Sequence, residues 1–384
     1  MTLSAKYWPA HLKPQIDEIF SSWLYRISKA HSLKPHTFCS IIWPSHQFWN
    51  RDIDKLVNKE VLRIISSKTN TSYQSAFTTT LRSYVCLLHN NFTPRTTSRG
   101  ILDLGVYHRL RTLNGQQYCG YCLANDETPY FRKRWRIVYS VICLEHNSIL
   151  LDSCPKCESA INFHRNSELD CPIYDCYYCG FDLRKSYHYQ EKSNSIVIDI
   201  QKKINQAIEK GWLNIGNDII YSHLYFEVVR QIMRLFMMRN ISKNFKKKVL
   251  EECFRHKDSD CFSYTSNVVE KLGTDERYML LGLSAWILDD WPDRFTKTCQ
   301  IYNILSSDLF RDMKEIPYWY SKTVRKYCYE ASYNTTDEEV ESVIKHTIKN
   351  DLPMSELAIS KLLGVSQVFR KRNKKLNDFL VCNI

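Results

Sequence analysis

The sequence predicts a mainly α protein: an N-terminal helix-turn-helix-like helical domain, central tandem zinc ribbons, and a C-terminal helical domain with a further helix-turn-helix candidate. Three observations lead there. Apolar residues recur at helical spacing in long stretches before residue 95 and after residue 195. Between those stretches, Cys and His fall in pairs with a two-residue gap, and four such pairs follow one another. Only 10 Gly and 11 Pro interrupt 384 residues that are 44% apolar and 24% charged, the balance of a folded chain rather than a disordered one.

This length accommodates two or three cores, and changes of texture divide it into residues 1–95 (helical), 96–190 (tandem zinc-binding modules), 191–330 (helical) and 331–384 (a basic helical hairpin). No N-terminal stretch joins a basic start to an apolar run and a small-residue cleavage site, and no run of about 18 apolar residues occurs. An intracellular protein that does not span a membrane is expected. In a reducing compartment, 15 Cys read as metal ligands before disulfides. The net charge of +12, from 53 basic and 41 acidic residues, suits a polyanionic partner or serves solubility alone.

In the first part, "IDEIFSSWLYRISKAHSL" sets Ile16, Ile19, Phe20, Trp23, Leu24 and Ile27 on one side, after a Pro14 suited to starting a helix. A break at residues 32 to 35 precedes a second helical piece with Phe38, Ile41 and Ile42. Two short helices and a tight turn fit a helix-turn-helix or any small bundle. The first hundred residues hold 13 basic and 5 acidic side chains, a bias that suits a phosphate-facing surface or a merely solvated one. The polar, basic "NNFTPRTTSRG" at 90–100 then marks a boundary or exposed loop.

The central pairs sort into two sets. Cys119 and Cys122 of "QYCGYC" are answered by Cys143 and His146, and Cys154 and Cys157 by Cys176 and Cys179. A C-x2-C turn places two sulfurs on one side of a backbone bend, each able to reach a metal at about 2.3 Å, and two turns complete a tetrahedron. Gly120 and Gly180 suit turns that need positive φ. Two structural zinc ions are expected, one on three Cys and one His and one on four Cys, with no open coordination position for catalysis. Each should contribute on the order of 10 kcal/mol to local folding. Cys171, near Cys176, reads as a bystander or an alternative ligand of the second site. A redox pair is not expected, because the pairs are complementary and no βαβ pattern surrounds them. Within the first module, Arg132, Lys133, Arg134 and Arg136 are candidate phosphate contacts, with Phe131, Trp135 and Tyr139 packing beside them or in the ribbon's core.

Further on, "SHLYFEVVRQIMRLFMMRNI" predicts a core helix capped by Ser222, its Met233, Met237 and Met238 serving as packing. Pro292, among Trp286, Ile287, Trp291 and Phe295, marks a break between helices or a first helical turn. Finally, "SELAISKLLGVSQVFRKRNKKL" predicts a helix capped by Ser355 and carrying Leu357, Ile359, Leu362 and Leu363, a turn at Gly364, and a second helix from Ser366. Arg370, Lys371, Arg372, Lys374 and Lys375 then lie where a recognition helix meets nucleic acid, or decorate an ordinary basic hairpin. Phosphate-loop, nucleophile-elbow and H-E-x-x-H motifs are absent, so no catalytic residues are assigned and the chain reads as a non-enzyme. The remaining enzymatic reading is a nuclease built on Asp289, Asp290 and Asp293, for which a solvated helix start is the better explanation.

Pro14, Asp17, Glu18, Ser22, Trp23, Leu24 and Arg26, with "YCGYC", "CLEHNSILLDSCPKC" and the Trp291, Pro292, Phe295 element, give a pattern that resembles the TniQ/TnsD family over roughly residues 8 to 300. These are target-selection proteins of Tn-seven-like transposons, including CRISPR-associated ones. The resemblance implies a cytoplasmic, nucleoid-associated bacterial adaptor that touches DNA and recruits the transposon's AAA+ ATPase regulator, leaving chemistry to a separate transposase. Longer members look like direct readers of an attachment site; shorter ones dock on a Cascade-type or Cas effector complex, often as a dimer. The length of this chain matches the shorter group, so the guided mode is expected. The basic C-terminal hairpin and the net charge argue for the direct mode. From another class, a zinc-ribbon helix-turn-helix transcriptional regulator competes with both.

Overall fold

The computed structural model describes residues 6–44, 46–90, 92–165, 171–254, 263–328 and 335–364. Helices dominate, and the strands among these residues form three two-stranded antiparallel ladders. The chain separates into two compact units, residues 1–304 with 308–328, and residues 305–307 with 329–384.

The larger unit opens with α1 (Phe20–Ala30) and α2 (Pro35–Ile42), joined by a turn in which Ser32 takes a φ of 55°. Short helices α3 (Ile53–Leu56), α4 (Lys59–Thr69) and α5 (Tyr73–Thr78) follow. Phe20, Trp23, Leu24 and Ile27 of α1 share a core with Phe38, Trp43, Trp49, Val61 and Ile65. Two expectations fail at the entrance to α1. Pro14 does not start it, and Ile16 is 86% exposed instead of joining the apolar face. The reason is a tertiary pairing that outcompetes helix propensity. Asp17 turns the backbone at a φ of 57°, its carbonyl accepts the Lys133 amide at 2.6 Å, and the Ile19 amide donates to the Phe131 carbonyl at 3.0 Å. The segment before α1 is thereby extended, and the helix begins only at Phe20.

A hairpin of β1 (Val106–Tyr107) and β2 (Leu110–Arg111) leads to α6 (Gly120–Asn125) and a second hairpin, β3 (Ile142–Cys143) with β4 (Ser148–Ile149). The long α7 (Ser195–Lys210) ends at Gly211, whose φ of 78° satisfies the left-handed cap position. It feeds a third hairpin, β5 (Trp212–Ile215) with β6 (Asp218–Tyr221), and then α8 (Ser222–Met237). Ser222 does not cap α8: Tyr221 holds that position, and the Ser222 hydroxyl donates to the Leu87 carbonyl at 2.7 Å. Next come α9 (Lys243–Phe254), α10 (Thr274–Asp289), α11 (Asp293–Ile301), α12 (Ser306–Phe310) and α13 (Tyr318–Tyr327), with Pro292 in the break between α10 and α11. A continuous apolar core joins the Cys-rich segment to these helices, as in the Tyr139–Phe226 ring stack at 4.6 Å. Met233 is fully buried there, and Met237 and Met238 pack against it.

The smaller unit contains α14 (Asp337–Lys349), begun by a Thr336–Glu339 capping box, and α15 (Glu356–Leu362), capped by Ser355 through the Ala358 amide. Val340, Ile344 and Ile359 form its core. Gly364 takes a φ of 68°, and the expected second helix from Ser366 lies outside the described residues. Among the described residues, no helix is long and apolar enough to cross a membrane.

Candidate metal centres and nucleic-acid interface

Each quartet is built from two short turns that a hairpin or helix start holds in place. In the first, Cys119 caps α6 and Cys122 lies in its first turn, while Cys143 ends β3. Asn147, at a φ of 49°, folds the chain back so that His146 meets the three sulfurs. Its Nδ1 lies 3.7, 3.5 and 3.4 Å from the Sγ atoms of Cys119, Cys122 and Cys143, and the Cys122 and Cys143 sulfurs are 3.5 Å apart. A tetrahedron with arms of about 2.3 Å has edges of about 3.8 Å, so this spacing suits one central ion.

The surroundings fix the ligands. His146 stacks on Tyr121 with centroids 5.2 Å apart, and its Nε2 is 3.3 Å from Asn125 Nδ2. Gln190 accepts the Gly120 amide at 2.7 Å, donates to the Ile149 carbonyl at 2.7 Å, and sits 3.7 Å from Cys119 Sγ. These outer contacts orient first ligands and set their basicity. Hydrogen bonds from Cys122 and Cys143 hold the Cys119 thiol well below its ordinary range, and the same contacts push the Cys122 thiol up.

Gly120 serves a different purpose from the expected positive φ. A Cβ on it would lie 2.4 Å from Ser186 Oγ and 2.6 Å from the Tyr187 amide nitrogen, so glycine here admits a neighbouring backbone. Gly120→Ala is expected to cost about 1–3 kcal/mol through overpacking. A thermal melt lowered together with faster zinc loss to a chelator checks this, and an unchanged melt contradicts it.

The second quartet repeats one local design twice. Cys154 and Cys176 each accept an amide four residues on, from Glu158 at 2.8 Å and Gly180 at 2.9 Å, and those two residues have φ values of 58° and 68°. The Cys154 and Cys176 amides in turn donate to the carbonyls of Ser159 and Phe181. Two knuckles result, and their sulfurs meet at 3.7 Å for Cys154–Cys179 and 3.7 Å for Cys157–Cys176. Burial alone would push the Cys157 thiol up, but the Ser159 hydroxyl and amide draw it down to about 7. Cys171 stays outside, with its thiol 3.7 Å from Asp175 Oδ2. In each quartet all ligand atoms lie within 4.8 Å of one another, and four thiolate or imidazole donors at that spacing are compatible with zinc. Among the described residues these two groups are the ones converging in this way, while Asp289 is ion-paired with Lys203.

The cations of the basic cluster are engaged by their surroundings. Arg132 forms a two-armed pair with Asp126 at 2.8 and 3.1 Å and stacks over Trp135. Lys133 donates to the Thr78 carbonyl at 2.6 Å and to Ser83 Oγ at 2.9 Å. Arg134 binds Asp17 at 2.6 Å, and only its side chain, 43% exposed, keeps an outward face. Arg136 is fully buried, held by Asp52 at 2.6 Å and Asp54 at 3.2 Å. Lys133, Arg134 and Arg136 tie the Cys-rich segment to the N-terminal part, Arg132 braces the segment internally, and Phe131, Trp135 and Tyr139 are core residues. Arg370, Lys371, Arg372, Lys374 and Lys375 lie outside the described residues. Sequence reasoning missed Gln190 and Ser159, which carry no motif. It also missed Arg51 and Arg95, exposed cations without an ion pair among the described residues.

A helical protein carrying two Cys/His quartets able to hold metal ions is thus the class that fold and site define. Residues 9–150 match the family model TniQ, so the chain carries a TniQ domain, consistent with a TniQ/TnsD-family protein. The matched segment contains the N-terminal helices and the whole first quartet, and ends before the second. No curated protein matches the chain. A TniQ domain implies a transposon-associated role in target selection or DNA binding.

Proposed function

We propose that this protein selects target sites for transposition, binding nucleic acid or an RNA-guided effector complex and recruiting the transposon's AAA+ ATPase regulator. The TniQ match over residues 9–150 is the observation that carries this reading. Zinc is the ion assigned to both quartets, where it braces the adaptor and takes no part in chemistry, since each tetrahedron is filled by protein ligands. Strand transfer belongs to a separate transposase. Functionally, residues 1–95 serve as the helical entry, 96–190 as the zinc-braced centre, 191–330 as its helical support and 331–384 as a basic hairpin.

The favoured mode is an adaptor docked on a Cascade or Cas complex, working in the bacterial cytoplasm at the nucleoid. The internal pairing of Arg132, Lys133, Arg134 and Arg136 supports it, because cations committed to carboxylates and carbonyls leave fewer contacts for a strong independent grip on DNA. The alternative is direct attachment-site reading of the TnsD type, supported by the net charge of +12. Binding of zinc-loaded protein to candidate attachment-site and random duplexes, measured at physiological salt, separates the two. Weak, salt-sensitive, indiscriminate binding is expected. A preference of about a thousandfold or more for one duplex would establish the direct mode instead. Failure to stimulate transposition with its own ATPase and transposase would refute the selector reading as a whole.

A further inference from the structure

A cleft of about 930 Å³ opens between the α3 region and the loop that leads into the β1–β2 hairpin, with Arg51, Lys55, Arg95, Thr96 and Val106 on its walls. Its cations outnumber its carboxylates by one. Two carboxylates, Asp52 and Asp103, also line it, but both are already engaged. Asp52 is bound by Arg136 at 2.6 Å, and Asp103 accepts the Thr97 hydroxyl at 2.9 Å and the Gly105 amide at 3.1 Å. The cations are not engaged in the same way. Arg51 and Arg95 are exposed and make no ion pair among the described residues. Lys55 is only 4% exposed, makes no ion pair there either, and spends one donor on the Thr96 carbonyl at 2.5 Å.

A buried ammonium without a carboxylate in contact is costly, and burial, with Arg136 nearby, lowers its proton affinity despite the pull of Asp52 and Asp103. An anion in the cleft would relieve that cost and satisfy two arginine forks at once. Val106 of the β1–β2 hairpin closes one wall. Cations spaced along an open groove suit the repeated phosphates of a linear polyanion better than a compact ion. The cleft also lies within the matched segment, residues 9–150.

We propose that this cleft seats the sugar-phosphate backbone of a nucleic acid, with Arg51, Lys55 and Arg95 as its phosphate contacts. The proposal rests on the nucleic-acid part of the function proposed above and places it on the TniQ domain. Contacts of this kind position a strand without reading its sequence, as an adaptor guided by a partner requires.

The test compares the full-length, zinc-loaded protein with two double variants of equal charge change: R51E/R95E in the cleft, and K243E/K247E on the exposed face of α9. All four positions are exposed, so both variants should melt like the parent. Binding to labelled random duplex and single-stranded DNA is followed across a salt series. The cleft variant should bind about tenfold or more weaker than the α9 variant, with a duplex salt slope shallower by roughly 2. Equal losses in the two variants would overturn the cleft assignment while leaving nucleic-acid binding intact. Absence of binding by the parent protein would overturn both. A Lys55→Met protein that folds and binds as the parent does would remove Lys55 from the contacts.

Discussion

Cys122→Ser is expected to release one of two zinc ions and to unfold the larger unit under conditions where the parent is folded. A serine hydroxyl is a poor zinc ligand, so the first quartet would be left with three donors around a buried gap. Cys119 and Cys122 are 0% and 2% exposed, and both belong to the same apolar core as Trp135, Tyr139 and Phe226. Structural zinc contributes on the order of 10 kcal/mol to folding at neutral pH. A domain's entire stability is only about 5–15 kcal/mol, so the loss cannot be absorbed locally. Cys179→Ser should behave differently, because that sulfur is partly exposed in a knuckle at the edge of the core. It should cost the second ion with a smaller drop in melting temperature. Metal content by indicator titration, read beside circular-dichroism melts, distinguishes the two. Two ions and an unshifted melt in Cys122→Ser would show that this sulfur is not a ligand.

The contrast between what could and could not be read from the sequence follows the distance over which each feature is encoded. Both quartets were legible because a C-x2-C turn carries its geometry within four residues, and complementary pairs then have few ways to combine. The α15 cap at Ser355 was legible for the same reason, since its partner is the Ala358 amide. The roles of Arg134 and Arg136 were not, because Asp17 lies 117 positions from Arg134 and Asp52 lies 84 positions from Arg136. A run of cations looks alike whether it faces solvent or a set of carboxylates brought in by the fold. The same long range hid the Phe131–Ile19 pairing that delays α1, and the approach of Tyr187 that requires a glycine at 120. Local signals at Pro14 and Ser222 were sound as propensities and were overruled by tertiary hydrogen bonds worth more than the helical ends they displaced.

Arg136→Met should destabilise the protein by about 3–5 kcal/mol, because it keeps the side chain's bulk and removes the one cation in contact with two carboxylates. Asp54 is fully buried and also accepts the Ser21 amide at 2.7 Å and its hydroxyl at 2.9 Å, so it cannot swing out to water. Burial and the neighbouring charge of Asp52 already push Asp54 up to about 6 against the pull of Arg136. A carboxyl raised in the folded state favours folding below its unfolded pKa of about 3.9, and that contribution is lost as pH rises through the folded value. Without Arg136 the folded value climbs further, so the variant's deficit relative to the parent should grow from pH 5 to pH 8. Urea melts of both proteins at the two pH values measure it, with the comparison at each pH cancelling the shared titration of the Cys/His quartets. A deficit that is small, or that shrinks toward pH 8, would mean that Arg136 is not the charge balancing Asp52 and Asp54. The Cys-rich segment would then owe its attachment to the N-terminal helices to apolar contact and to the bonds made by Lys133 and Arg134. A deficit that grows as described would identify the cluster as the electrostatic tie between the zinc-braced centre and α1 and α3.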